Sequence, residues 1–168
     1  MNRNSIIAEA IIRITNSLLA EQDDEQFCIL LEKYGLIDLL PTTLPYFHET
    51  QKNGKIILFG GSSVKINELQ GCLKSLNIDK KRFEYIPYDE VTNYNFKNLE
   101  YNNNYRLILL GPVPHSAKGM GDNSSVTEYL KSNNSIAKVI SLDEFKITKT
   151  SFKKAISKEI ESGYLEID

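Results

Sequence analysis

Apolar positions along this chain follow two rhythms, and the change comes near residue 55. Before it they recur every three or four residues. Ile6, Ala10, Ile14 and Leu18 step by four, Ile7 and Ile11 widen the stripe, and Ser5 stands where a helix cap is expected. "DDEQFCILLEKYG" opens with acids, which the positive end of a helix dipole favours, and Gly35 offers a stop. That predicts a second helix buried through Phe27, Leu30, Leu31 and Tyr34. Pro41 and Pro45 break the next stretch of chain into short pieces. Residues 1–52 thus read as a small helical module that cannot bury its own stripe and must pack on the rest of the chain or on a partner.

After Lys55 the strand candidates are the short apolar runs of "KIILFGG", "YRLILLG" and "AKVISL" and the alternating "RFEYIPY". Runs of this length ending in glycine or proline suit strands buried on both faces. Between them lie "SSVKINELQGCLKSLNI", with Ile66, Leu69, Leu73 and Leu76 at helical spacing, "TNYNFKNLEYNNN", read as a short helix and solvated turn, and the helical "SSVTEYLKS". Strand and helix in alternation predict a parallel sheet with right-handed crossovers. The fold expected over residues 53–168 is α/β: a Rossmann-like three-layer parallel sheet of about four strands. A Lys-rich helix from about Ser151 to near Gly163, with Phe152, Ile156 and Ile160 on one seam, and a short last strand complete it. No internal repeat is visible.

Composition narrows the function classes. Of 168 residues, 41% are hydrophobic and 25% charged, a globular balance. A formal charge of −2 disfavours general binding to nucleic acid or anionic membrane. Cys28 and Cys72 stand far apart on apolar helix positions, as in a reducing compartment. Glu9 and Arg13 interrupt the N-terminal apolar stretch, which reads as an amphipathic helix and not a signal peptide. No apolar run approaches the roughly 18 residues of a membrane span. The expectation is a cytoplasmic protein without membrane contact. No metal-ligand constellation occurs, and no cofactor is specified.

Candidate chemistry lies in two loops at the ends of predicted strands. In "GGSS", Gly60 and Gly61 allow a sharp turn and close approach, while Ser62 and Ser63 can cap the next helix or bind an anion at its N-terminus. Asp89 after the second strand sits where a dinucleotide fold places its ribose ligand, although neither the G-x-G-x-x-G spacing nor a P-loop is present. The second loop is "GPVPHSAKGMGDNSSV". Pro112 and Pro114 stiffen its exit, and Gly111, Gly119 and Gly121 permit bends. His115 is the candidate acid–base group and Asp122 its partner; Ser116 and Lys118 complete a polar wall. Each has a plainer role: His115 bonded to local backbone, Lys118 solvated, Asp122 capping a helix. What raises them together is the expectation that the two loops face one another across the sheet edge.

The pairing of "GG" after the first strand with "PHS" after a later one resembles small bacterial Rossmann-like domains of unknown function that carry a Gly-Gly loop and a Ser/His loop. The resemblance covers residues 55–142 at most. Here histidine precedes serine and prolines flank them, which departs from that pattern. It implies the fold and no particular activity.

The leading expectation is a site for a small anionic ligand, a nucleotide or phosphorylated metabolite, with hydrolase or transferase chemistry as an extension. The alternative is a non-catalytic interaction module that forms a homo-oligomer, or docks on a larger protein, through the N-terminal helices. A third reading places nucleic acid on Lys149, Lys153, Lys154 and Lys158, since the C-terminal segment resembles the last helix and wing of a winged-helix domain. The chain before it is too short for the other helices of such a domain, so nucleic acid is the least favoured partner.

Overall fold

The computed structural model describes residues 3–40, 46–118 and 125–168. Strands β1 (Lys55–Phe59), β2 (Phe83–Ile86), β3 (Tyr105–Leu110) and β4 (Lys138–Ser141) form one all-parallel sheet in the order β2-β1-β3-β4. This is the predicted Rossmann-like α/β arrangement, preceded by an N-terminal helical module. Past Lys55 in β1 and Arg106 in β3 the central strands are apolar because both faces are covered. On one face Ile57, Phe59, Ile108 and Leu110 pack with α4 (Tyr88–Val91), the 3₁₀ turn Phe96–Leu99 and α5 (Val126–Ser132). On the other, Ile56, Leu58, Leu107 and Leu109 pack with α3 (Ile66–Ser75) and α6 (Lys149–Glu161). Adjacent residues of one strand thus serve opposite cores, as the two-residue strand period requires. The crossover after β1 runs on the α3 face and the crossover after β3 on the α5 face. The topological switch point is therefore the β1/β3 boundary.

The helical module holds α1 (Arg3–Ala20), α2 (Asp24–Lys33) and the 3₁₀ turns Ile37–Leu39 and Tyr46–Glu49. Helix α1 starts before Ser5, which lies inside its first turns and not at the cap. No residue of α1 is buried: Ile14 and Leu18 are half-covered, while Ile6, Ile7, Ile11 and Ile12 are exposed. Helix α2 is capped by Asp23, whose side chain accepts from the Gln26 N–H, and Gly35 ends it at φ +69°. Its deepest residues are Ile29 and Leu31; Phe27, Leu30 and Tyr34 are only half-buried.

What fastens α2 and the Tyr46–Glu49 turn to the sheet is a buried cation that the apolar reading of "YRLILLG" passed over. Arg106, at the start of β3, is fully buried. Its Nε donates to the Tyr164 carbonyl at 2.7 Å, its Nη1 to the carbonyls of Phe47 and Thr50, and its Nη2 to Glu32 Oε2 at 3.3 Å. The guanidinium carbon lies 3.6 Å from the centroid of the Tyr164 ring. Beside it Lys138 meets Glu25 at 2.7 Å and Glu159 at 3.0 Å.

The tail differs from expectation. Gly163 turns at φ +80°, but Tyr164–Asp168 make no strand. The Glu166 N–H goes to the Lys52 carbonyl and the Asp168 N–H to the Asn77 carbonyl, two separate segments, so no ladder can form. The α6 seam of Phe152, Ile156 and Ile160 packs in the core shared with α3, so this helix is a layer of the sheet fold.

Candidate functional site

Because β1 and β3 are neighbours, the ends of both strands open at the same place, and their loops touch. Gly111 N–H donates to the Phe59 carbonyl at 2.8 Å, and Gly61 N–H to the Pro112 carbonyl at 2.8 Å. Gly60 N–H reaches the Ile86 carbonyl of β2 at 3.0 Å, and the Tyr85 hydroxyl donates to the Gly60 carbonyl. Further along the loop after β3, Lys118 N–H donates to the Thr92 carbonyl just after α4. Three strand ends and their loops are thereby stitched into one surface at the switch point.

The close approach separates the roles of the glycines. Gly60 sits at φ +127°, and a Cβ there would lie 2.5 Å from the Pro112 carbonyl oxygen. Gly111 is buried, and a Cβ on it would overlap Ile147. Both glycines are required by contact between loops. Gly61 has no such need: its φ lies outside the left-handed region, and an added Cβ would meet only the Tyr88 side chain, at 3.6 Å. Tyr88 is 45% exposed, and Asp89 and Glu90 follow it, exposed, in the first turn of α4.

The serines of "GGSS" do not cap α3. Ser62 turns its hydroxyl onto its own loop, accepting from the Val64 N–H at 3.0 Å and bonding to the Val64 carbonyl. Ser63 is exposed. The helix begins at Ile66, with Glu68 reaching back to the Lys65 N–H. Lys149, 2.6 Å from that carboxylate, holds it below the ordinary carboxylate range with help from the Lys65 N–H. A fixed negative charge thus occupies the N-terminal turn of α3, where an anion was expected.

In the second loop His115, Ser116 and Lys118 are exposed, while Val113 and Ala117 pack against the core below. The His115 carbonyl accepts from the Val126 N–H, and α5 is capped by Ser125. Gly119, Gly121 and Asp122 lie outside the described residues. The structure thus brings Gly60, Gly61, Gly111 and the Pro112 carbonyl into contact, and ties Lys118 by its backbone to the end of α4 near Asp89. No metal-binding group of His, Cys, Asp or Glu occurs among the described residues.

The other dense polar cluster lies at the opposite end of the sheet. There Arg106, Glu32, His48 and Lys52 converge, with the His48 ring 3.7 Å from Glu32 and buried. Burial raises the Glu32 carboxyl, but the nearby His48 ring and the charges of Arg106 and Lys52 outweigh it and hold the group below its ordinary range. Arg106 spends its donors on three backbone carbonyls of two segments, Phe47–Thr50 and Tyr164, and on the Glu32 carboxylate, so this cluster fastens the module to the sheet.

Fold and site together define an open, all-parallel α/β domain with a loop-lined surface at its switch point. No family model matches this chain, and neither a curated protein nor a solved structure shows significant similarity to it. No helix among the described residues is long and apolar enough to cross a membrane.

Proposed function

We propose that the switch-point surface binds a small nucleotide-like ligand. Gly61 carries this reading, because it is a glycine that neither backbone conformation nor loop packing demands. A glycine without a structural reason beside an exposed aromatic ring suits close approach by a flat ligand. In this reading Tyr88 offers a face for a base, Asp89 accepts from ribose hydroxyls, and Lys118 and His115 attract the anionic part. Glu68 keeps that part away from the start of α3. Any hydrolytic or transfer chemistry would fall to His115.

A thermal-shift panel of nucleotides and sugar phosphates tests it. Ligand at a hundred times its dissociation constant adds about 2.7 kcal/mol of stability. The expected result is a shift in the wild type that disappears in Gly61→Ala and Lys118→Glu. A flat panel, or a shift retained in both variants, overturns the proposal.

A second reading, an interaction module, draws on α1, whose Ile6, Ile7, Ile11 and Ile12 are exposed on a helix with no buried residue. Mass measured by light scattering against concentration distinguishes self-association from a strict monomer.

A further inference from the structure

Strand β4 is an edge of the sheet, and a groove of about 800 Å³ runs along it. Its floor is Ile136–Ser141; one wall is α5, through Leu130 and Lys131, the other is α6, through Ala155 and Lys158, and the start of α2 with Phe47 also lines it. The Leu142 N–H donates to the Leu110 carbonyl. By the alternation of a parallel ladder, residues 138, 140 and 142 then face β3, while Val139 and Ser141 direct their N–H and C=O groups into the groove. The Ser141 hydroxyl oxygen is itself buried without a hydrogen-bond partner among the described residues. Among the described residues this strand edge has no partner for its outward N–H and C=O groups, and with a buried, unsatisfied hydroxyl beside them it has room for a neighbour.

The shape limits what that neighbour is. The edge is recessed between two helices, which favours a single extended chain, at the usual spacing of about 4.8 Å, over a second copy of the same recessed edge. Charge narrows it further. The acids lining the groove are engaged: Glu25 and Glu159 hold Lys138, and Asp23 caps α2. Lys131 and Lys158 have no carboxylate partner among the described residues; Lys131 lies over the Phe145 ring and Lys158 is exposed. The acids gather around Lys138 and the start of α2, and the charge left without a carboxylate partner on the α5 and α6 walls is positive.

We propose that the β4 groove docks an extended acidic segment of another protein as a fifth strand. Its backbone bonds to Val139 and Ser141, and its alternating side chains reach Lys131 on one face and Lys158 on the other. This site is separate from the switch-point surface and does not depend on it.

The test uses a fluorescein-labelled peptide of alternating Val and Glu, its Val/Lys counterpart, and the acidic peptide N-methylated at alternate amides. Anisotropy is expected to show binding of the acidic peptide, weakened about tenfold by N-methylation and by the surface variant Lys131→Glu/Lys158→Glu. Hydrogen exchange on the wild-type chain is expected to show new protection of the Val139 and Ser141 amides when that peptide is present. Four outcomes overturn the proposal: no binding, equal binding of the lysine peptide, indifference to N-methylation, or Val139 already protected in the free protein, whether by the chain itself or by a second copy.

Discussion

Gly60, Gly61 and Gly111 stand in two adjoining loops, yet a methyl group added to each meets a different fate. At Gly60 it would force a left-handed backbone on alanine and press on the Pro112 carbonyl. Gly60→Ala is expected to cost about 1–3 kcal/mol in denaturant unfolding. Gly111→Ala must displace the buried Ile147 side chain and is expected to fall in the same range. Gly61→Ala meets ordinary contact distance and should stay within about 0.5 kcal/mol of the wild type while losing ligand binding. Arg106 is the opposite case, a residue whose removal takes the donor from the Thr50 and Tyr164 carbonyls and the nearest cation from the Glu32 carboxylate. Arg106→Met is expected to cost about 3–5 kcal/mol by the same measurement. The sequence named Gly60, Gly61 and Gly111 as one group of candidates because composition alone cannot say which glycine is required by neighbouring chain and which is not. Arg106 escaped notice for a related reason: a charge in an apolar run signals nothing until its partners, at positions 32, 47, 50 and 164, arrive from elsewhere in the chain.

At the scale of elements, the strands and their order followed from pattern, since four short apolar runs separated by helical periods have few ways to form a sheet. Boundaries were harder. Glu68 took the role expected of Ser62 and Ser63, because a carboxylate three residues into a helix can reach the cap position as well as a hydroxyl at it. The tail looked like a strand, but its donors are claimed by Lys52 and Asn77. Helix α1 leaves its apolar stripe uncovered, so deleting residues 1–13 is expected to change unfolding free energy by less than about 1 kcal/mol. Light scattering on the same truncation then reports whether association depends on that stripe. Exchange protection should also be graded across the sheet: the amides of β1 and β3, central and fully buried, outlast those of β2 and β4 at the edges.

The whole molecule joins two charged devices at opposite ends of one sheet, one stitched from loops and one from buried ion pairs. The latter makes stability depend on pH. Folding lowers the pKa of Glu32, so its contribution is present above the unfolded-state value and is lost as pH falls through the folded one. Acid unfolding followed by circular dichroism should therefore show a loss below the ordinary carboxylate range that is smaller in Glu32→Gln, a variant already destabilised at neutral pH.

Taken by itself, the order of residues determined the layers, the parallel sheet and the meeting of the two loops, because these depend on local periodicity and on the few ways such units can be connected. Only the folded arrangement decided which glycines serve packing, where the cationic anchor sits and which strand edge is left open. Those outcomes rest on groups far apart in the chain, and hydrogen bonds and close contacts act over a few ångströms of space without regard to separation in sequence.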